Sequence, residues 1–130
     1  MIQAIHHFTI NVRDLAASIR FYGEFLGLPQ LGHVDMGDHT LDYFALPGGA
    51  KLELISYAAP TPVCTAGLLE RGRFRHLALQ ADDLGAVSAG LEAYGGRVLQ
   101  PPRWVEALGF TGMLAEDPNG CELEFVSIPR

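Results

Sequence analysis

Two stretches of the chain carry the same pattern, and this internal repeat constrains the fold more than any other feature. The segment IHHFTINVRDL near the N-terminus matches FRHLALQADDL in the second half, so that His7 corresponds to His76 at an offset of 69 (76−7). Further along, GAKLELIS matches GCELEFVS, and Glu53 corresponds to Glu124 at an offset of 71 (124−53). Two matching segments in the same order indicate one structural unit encoded twice.

Each half of the repeat predicts the same order of elements. An alternating strand leads to Asp14, which has the character of a helix N-cap, and then to a helix with apolar residues at three- and four-residue spacing. Three short strands follow, separated by turn signals, and the second half repeats this order around Asp83. The sequence therefore predicts an α+β fold, a single domain over residues 1–130 made of two βαβββ modules at about 5–57 and 74–128.

Composition argues against several classes of function. The formal net charge of −6 is unlike that of nucleic-acid-binding proteins or of proteins that bind anionic membranes. No apolar run approaches the roughly 20 residues that span a bilayer, and the N-terminus lacks the pattern of a signal peptide. Cys64 and Cys121 are too few for a disulfide framework and are expected to be packed side chains. We expect a cytoplasmic protein with no nucleic-acid or membrane partner.

Four polar residues are predicted on the sheet face that points away from the helices. Strand alternation places His7 and His76, and likewise Glu53 and Glu124, opposite the apolar residues beside them. A single strand histidine or glutamate is more often a solvated surface residue, but these four occupy repeat-equivalent positions on one face. If the modules curve around a shared cavity, two imidazoles and two carboxylates converge there. Such a set suits one divalent ion of Zn²⁺, Ni²⁺, Co²⁺, Mn²⁺ or Fe²⁺.

The sequence resembles the vicinal oxygen chelate superfamily, also called the glyoxalase/bleomycin-resistance/dioxygenase fold. The resemblance rests on HHFTINVRDLAASIRFYGEFLGL, KLELISY, FRHLALQADDL and EDPNGCELEF, and it covers nearly the whole chain. It implies paired βαβββ modules that form an open, U-shaped mixed β-sheet around a divalent metal, with the helices on the outer face. The implied metal ligands are His7, Glu53, His76 and Glu124, a set similar to that of glyoxalase I.

The resemblance implies a metal-dependent lyase or isomerase of the glyoxalase I type that acts on a small carbonyl compound. The metal acts as a Lewis acid and stabilises an enolate formed by proton loss next to the carbonyl, and Glu124 or Glu53 is the candidate base. An epimerase would use the same enolate. A metal-free protein that sequesters a hydrophobic drug is the alternative from another class, whereas a ring-cleaving Fe²⁺ dioxygenase typically has only one carboxylate ligand.

Two positions depart from the pattern of similar glutathione-dependent enzymes. Those enzymes carry an Arg on the first strand and an Asn after the glutamate strand, where this chain has Asn11 and Ala58. Glutathione is therefore not expected as the co-substrate.

A small-molecule substrate is expected to contact a mildly apolar set of side chains, unless these serve core or dimer packing. The predicted lining residues are Thr9, Asn11, Tyr43, Trp104, Phe110 and Met113. Each module also leaves an unpaired sheet edge and an incompletely covered face, a liability that association usually resolves. We therefore expect a homodimer.

Overall fold

The structure is a computed structural model that describes residues 1–59, 62, 67 and 69–130. The chain divides into two compact units, Met1–Val63 and Cys64–Arg130. Cys64 lies outside the described residues, whereas Cys121 is a free, half-buried thiol. No helix in the described part of the chain is long and apolar enough to cross a bilayer.

The first unit is a four-stranded mixed sheet with one helical segment. Its elements are β1 (His7–Asn11), α1 (Leu15–Ile19) with a π-helical continuation (Arg20–Phe25), β2 (Gln30–Asp35), β3 (His39–Ala45) and β4 (Lys51–Tyr57). The strand order is β1-β4-β3-β2, in which β1 is parallel to β4 and the other pairs are antiparallel.

The second unit repeats this topology. Its elements are β5 (Leu77–Gln80), α2 (Leu84–Gly90) followed by a 3-10 turn (Glu92–Tyr94), β6 (Arg97–Val105), β7 (Phe110–Glu116) and β8 (Glu122–Ser127). The strand order is β5-β8-β7-β6, in which β5 is parallel to β8 and the other pairs are antiparallel. The predicted α+β fold with two βαβββ modules is confirmed.

In each unit the core lies on one face of the sheet. The most buried apolar side chains of the first unit are Phe21, Tyr22, Phe44, Leu52 and Leu54, and those of the second are Leu91, Met113, Ala115, Leu123 and Phe125. Residues adjacent to these on a strand point to the opposite face because side chains alternate. Glu53 lies between two core leucines and Glu124 between two other core residues, so both glutamates project away from the core as predicted.

Candidate functional site

The first unit brings His7 and Glu53 together. Strand β1 pairs with β4 so that Thr9 lies opposite Glu53, and His7 is two residues away on the same face. The His7 Nε2 atom lies 3.9 Å from Glu53 Oε1. The imidazole is 39% exposed, whereas the glutamate side chain is only 9% exposed. The pair thus has a buried carboxylate beside an accessible ring nitrogen.

Two hydroxyl groups hold the Glu53 carboxylate. Thr9 donates a hydrogen bond to Oε1 at 3.0 Å, and the Tyr43 hydroxyl on the neighbouring strand donates to Oε2. The hydrogen bond to Glu53 raises the pKa of Tyr43 above its ordinary value, and burial adds to this. Thr9 and Tyr43, both predicted to line the site, therefore lie on its face and fix the carboxylate in place.

The second unit brings His76 and Glu124 into direct contact. The His76 Nε2 atom lies 2.8 Å from Glu124 Oε2, and the two side chains are 24% and 22% exposed. The parallel register of β5 and β8 pairs Leu77 with Leu123, which places His76, one residue earlier, near the start of β8.

A further acidic residue, which the sequence interpretation missed, braces His76 from the other side. His76 Nδ1 donates to Glu122 Oε2 at 2.8 Å. Arg75 also donates to this carboxylate, through Nε at 2.8 Å and through Nη2 at 3.3 Å. Burial raises the pKa of Glu122, but the hydrogen bonds and charges of Arg75 and His76 outweigh burial and hold that pKa below its ordinary value. The signal in the sequence was the alternation in ELEF, which puts Glu122 on the face of Glu124.

The two units differ at the positions that surround the histidine. The repeat-equivalents of Arg75 and Glu122 are His6 (75−69) and Lys51 (122−71). The Nδ1 atom of His7 lies 2.8 Å from Nδ1 of His6, where His76 has a carboxylate. The Lys51 ammonium lies 5.8 Å from the centre of the Tyr43 ring.

Of the other four predicted lining residues, only two lie on the expected face. Asn11 is exposed and shares the face of His7 by strand alternation. In the second unit Leu114 lies opposite Glu124, so Phe110 shares that face four residues earlier. A Cβ added at Gly112 would lie 3.3 Å from the Phe110 ring and 3.6 Å from Glu124 Oε1.

Two predicted lining residues lie away from Glu124, which corrects the expectation for them. Met113 is 1% exposed and pairs with Phe125, so it belongs to the core face. Trp104 pairs with Thr111 on that same side of the sheet, is half exposed, and donates its indole hydrogen to Glu106 at 2.6 Å. Strand alternation, applied from Glu124 across to β7, would have excluded Met113.

The donor set of each unit fits a borderline divalent ion, since imidazole nitrogen and carboxylate oxygen are both among its usual ligands. Both oxygens of Glu53 accept hydroxyl hydrogens, but each carboxylate oxygen keeps a second lone pair for a metal. Within the described residues, no three His, Cys, Asp or Glu side chains gather closely enough to hold an ion. The joint set of His7, Glu53, His76 and Glu124 stays a prediction.

Comparison with known proteins identifies one superfamily and several similar proteins. The sequence profile of the Glyoxalase/Bleomycin resistance protein/Dioxygenase superfamily matches residues 4–125. The chain is 29% identical to a lactoylglutathione lyase of Haemophilus influenzae, over 94% of this chain and 90% of that protein. It is 33% identical to the uncharacterized protein YaeR of Escherichia coli, over 72% of each. A solved glyoxalase family protein from Enterococcus faecalis has a TM-score of 0.75 and 26% identity, and covers 95% of this chain and 97% of its own.

Proposed function

Since the chain belongs to the Glyoxalase/Bleomycin resistance protein/Dioxygenase superfamily, we propose that it is a divalent-metal-dependent lyase or isomerase of the glyoxalase I type. The proposed substrate is a small carbonyl compound. The observation that carries the proposal is that each unit presents a histidine Nε2 beside a glutamate carboxylate, His7 with Glu53 and His76 with Glu124. In this proposal the four side chains hold one divalent ion.

The two glutamates suit different tasks. A bound divalent ion supplies Lewis-acid stabilisation of the negative charge that develops on a substrate oxygen. Glu53 accepts hydrogen bonds at both oxygens and is buried, so it serves as a fixed ligand. Glu124 contacts His76 through Oε2, while Oε1 lies towards Gly112, which has no side chain.

Glu124 is therefore the candidate base that removes a proton next to the substrate carbonyl. The Phe110 ring beside Gly112 offers an apolar surface close to that oxygen, and apolar walls limit the access of water to a reacting centre. Asn11 offers a neutral amide on the face of the His7–Glu53 pair.

The substrate proposed here carries no glutathione. The Haemophilus influenzae relative is named for a glutathione thioester, but Asn11 in this chain provides no guanidinium to pair with a carboxylate of the tripeptide. Ala58, the second departure, is exposed and has no polar side chain. A compact carbonyl substrate that contacts the metal and few other groups is consistent with these two positions.

A homodimer is part of the same proposal. Strand β2 is one of the two edge strands of the first sheet, every residue in it is exposed, and Leu31, Val34 and Met36 add apolar surface there. Unpaired edges with apolar side chains are usually covered by association. Multi-angle light scattering at micromolar concentration should give twice the mass of the chain, and the mass of one chain would contradict the dimer.

The test of the metal proposal is metal analysis of protein purified without a histidine tag. We expect about one divalent ion per chain, and His76→Ala should abolish tight binding because it removes one of two nitrogen ligands. His39→Ala is the matched control, since His39 contacts Asp38 and not the candidate site. Protein that holds no ion and takes up none of Zn²⁺, Ni²⁺, Co²⁺, Mn²⁺ or Fe²⁺ would contradict the enzymatic proposal and favour metal-free drug binding.

A further inference from the structure

Glu122 occupies an unusual position beside one of the candidate ligands. Its side chain is 1% exposed, and its carboxylate bridges Arg75 and His76. Strands rarely bury a carboxylate unless it is paired and hydrogen-bonded, and three donated hydrogen bonds meet that need here. None of these contacts involves Nε2, the nitrogen of His76 that faces the proposed metal. The role of a buried carboxylate at this position therefore needs an explanation.

The contacts of the His76 ring give that explanation. Its Nδ1 atom points at Glu122 Oε2 and its Nε2 atom at Glu124 Oε2, each at 2.8 Å. A carboxylate that accepts the Nδ1 hydrogen fixes both the tautomer and the ring orientation, so that Nε2 presents its lone pair to a metal. The ring thus lies between two carboxylates of the same strand, two residues apart, and it donates its Nδ1 hydrogen to Glu122.

Arg75 holds the brace itself in place. Its guanidinium donates to both oxygens of Glu122, a two-point contact that restricts rotation of the carboxylate. Because Arg75 immediately precedes His76, one stretch of chain supplies both the ligand and the group that orients its support.

From this geometry we infer that Glu122, oriented by Arg75, is a positioning residue that directs Nε2 of His76 to the metal. The inference rests on the proposed function and adds a residue outside the four ligands. It also makes the units unequal: His7 has His6 at its Nδ1 and Lys51 in place of the carboxylate. His76 is therefore the preorganised histidine ligand and His7 the less constrained one.

The experiment compares Glu122→Gln with Glu116→Gln. Both glutamates accept hydrogen bonds from an arginine, but Glu116 pairs with Arg97 and does not contact His76. Zinc affinity is measured by competition with a chromophoric chelator. Loss of a carboxylate behind a ligating histidine typically lowers metal affinity about 10–100-fold, which is the decrease expected for Glu122→Gln, whereas Glu116→Gln should bind zinc as the unmodified protein does.

A second measurement separates positioning from general loss of structure. In ¹⁵N-labelled protein the Nδ1 proton of His76 should be resolved and protected from exchange with water, both without metal and with Zn²⁺. Glu122→Leu should abolish that signal, while the backbone amide spectrum shows that the fold is retained. If Glu122→Leu does not fold, Glu122→Gln, which keeps a weaker acceptor, should show faster exchange of the same proton.

The outcomes are distinct. Wild-type zinc affinity in Glu122→Gln, or an unprotected Nδ1 proton in the unmodified chain, overturns the positioning role even if the protein binds metal. If the unmodified chain binds none of the five ions, the proposed function is contradicted. The positioning role is then contradicted as well, even if the protected Nδ1 proton is observed. Selective loss of affinity in Glu122→Gln together with the protected proton supports the inference.

Discussion

Asp42 is a buried acidic residue whose carboxylate is only partly hydrogen-bonded. It is 2% exposed on β3, and its Oδ1 contacts His33 Nδ1 at 2.9 Å. Its Oδ2 is buried and has no hydrogen-bond partner among the described residues. The repeat-equivalent position in the second unit is Met113, since Tyr43 lies opposite Glu53 as Leu114 lies opposite Glu124.

We therefore expect Asp42→Met to raise the free energy of unfolding by about 1 kcal/mol, because an apolar side chain of suitable shape replaces an incompletely paired carboxylate. His33→Ala should lower it by about 1–3 kcal/mol, because it leaves the buried carboxylate without its remaining partner. Urea denaturation of the metal-free protein measures both. A clear loss of stability in Asp42→Met would show that the carboxylate has a favourable interaction at this site.

Tyr43 gives a prediction that depends on pH. Tyr43→Phe removes a hydrogen bond to the charged Glu53 and should lower the free energy of unfolding by about 1.5–3 kcal/mol at neutral pH. Because folding raises the pKa of Tyr43 above the ordinary value of 10.0, this stabilisation is complete below pH 10.0 and is lost as pH rises through the folded-state pKa. The difference between the two proteins should therefore shrink at alkaline pH.

The control is Tyr57→Phe, which changes a tyrosine of β4 that is 41% exposed and packs against His39. Its stability difference should not follow the same pH dependence. Urea titrations at neutral pH and at a series of alkaline values test this, and a Tyr43→Phe difference that stays constant across the series would contradict the prediction.

For single residues, the sequence predicted the strand face to which a side chain points better than it predicted which side chains contact each other. Strand period alone placed His7 and Glu53 on one face. It could not show that Glu122 contacts His76, because that contact depends on the register between β5 and β8, strands that lie far apart in the chain. Met113 was misplaced for a related reason: its hydrophobicity fits either a cavity wall or a core, and only the pairing with Phe125 decides between them.

At the level of elements, both helices begin with the same cap. Asp14 accepts a hydrogen bond from the Ala17 amide at 3.0 Å, and Asp83 accepts one from Ala86 at 2.9 Å. Replacing an N-cap aspartate by alanine typically costs about 0.5–2 kcal/mol. We expect Asp14→Ala and Asp83→Ala each to lower the free energy of unfolding by about 1 kcal/mol.

Asp82→Ala is the matched control for the second cap, because Asp82 is exposed and directly precedes Asp83. It should leave the denaturation midpoint almost unchanged. Equal effects of Asp82→Ala and Asp83→Ala would indicate that charge near the helix start, and not the hydrogen bond to Ala86, accounts for the stabilisation.

The order of elements was predictable, whereas their local form was not. Alternation and turn residues predicted three short strands after each helix, and the structure has them, because period-two patterns bounded by glycine are strong signals. The first helix widens into a π-helix over Arg20–Phe25, where the consecutive residues Phe21 and Tyr22 are both fully buried. Helical periodicity predicts one buried stripe and gives no indication of such a change in pitch.

At the scale of the whole molecule, the repeat was the most informative feature of the sequence. It predicted two units of like topology, and the matched pairs His7–Glu53 and His76–Glu124 occupy equivalent places in them. What the repeat could not give was the difference between the units. Lys51 and Glu122 are equivalent in position and opposite in charge, and among the described residues a carboxylate contacts Nδ1 of His76, whereas His6 lies at Nδ1 of His7.

The choice of substrate also belongs to the whole molecule, since it depends on groups from more than one strand. Asn11 and Ala58 stand where similar glutathione-dependent enzymes have Arg and Asn. Without a guanidinium–carboxylate pair, the tripeptide loses a charge-assisted contact that orients it, and proton transfer requires the substrate carbon to lie within reach of the base. We expect the protein, loaded with Ni²⁺ or Zn²⁺, to turn over the methylglyoxal–glutathione hemithioacetal poorly.

The assay follows thioester formation with each metal separately, and a gain-of-function variant makes it decisive. Asn11→Arg combined with Ala58→Asn should raise kcat/KM for the hemithioacetal above that of the unmodified chain, because it restores both contacts. Asn11→Gln with Ala58→Ser, which adds polar groups without a positive charge, should not. An unmodified protein with kcat/KM of roughly 10⁴ M⁻¹s⁻¹ or above would be within the ordinary enzyme range, and glutathione would then be the true co-substrate despite these two positions.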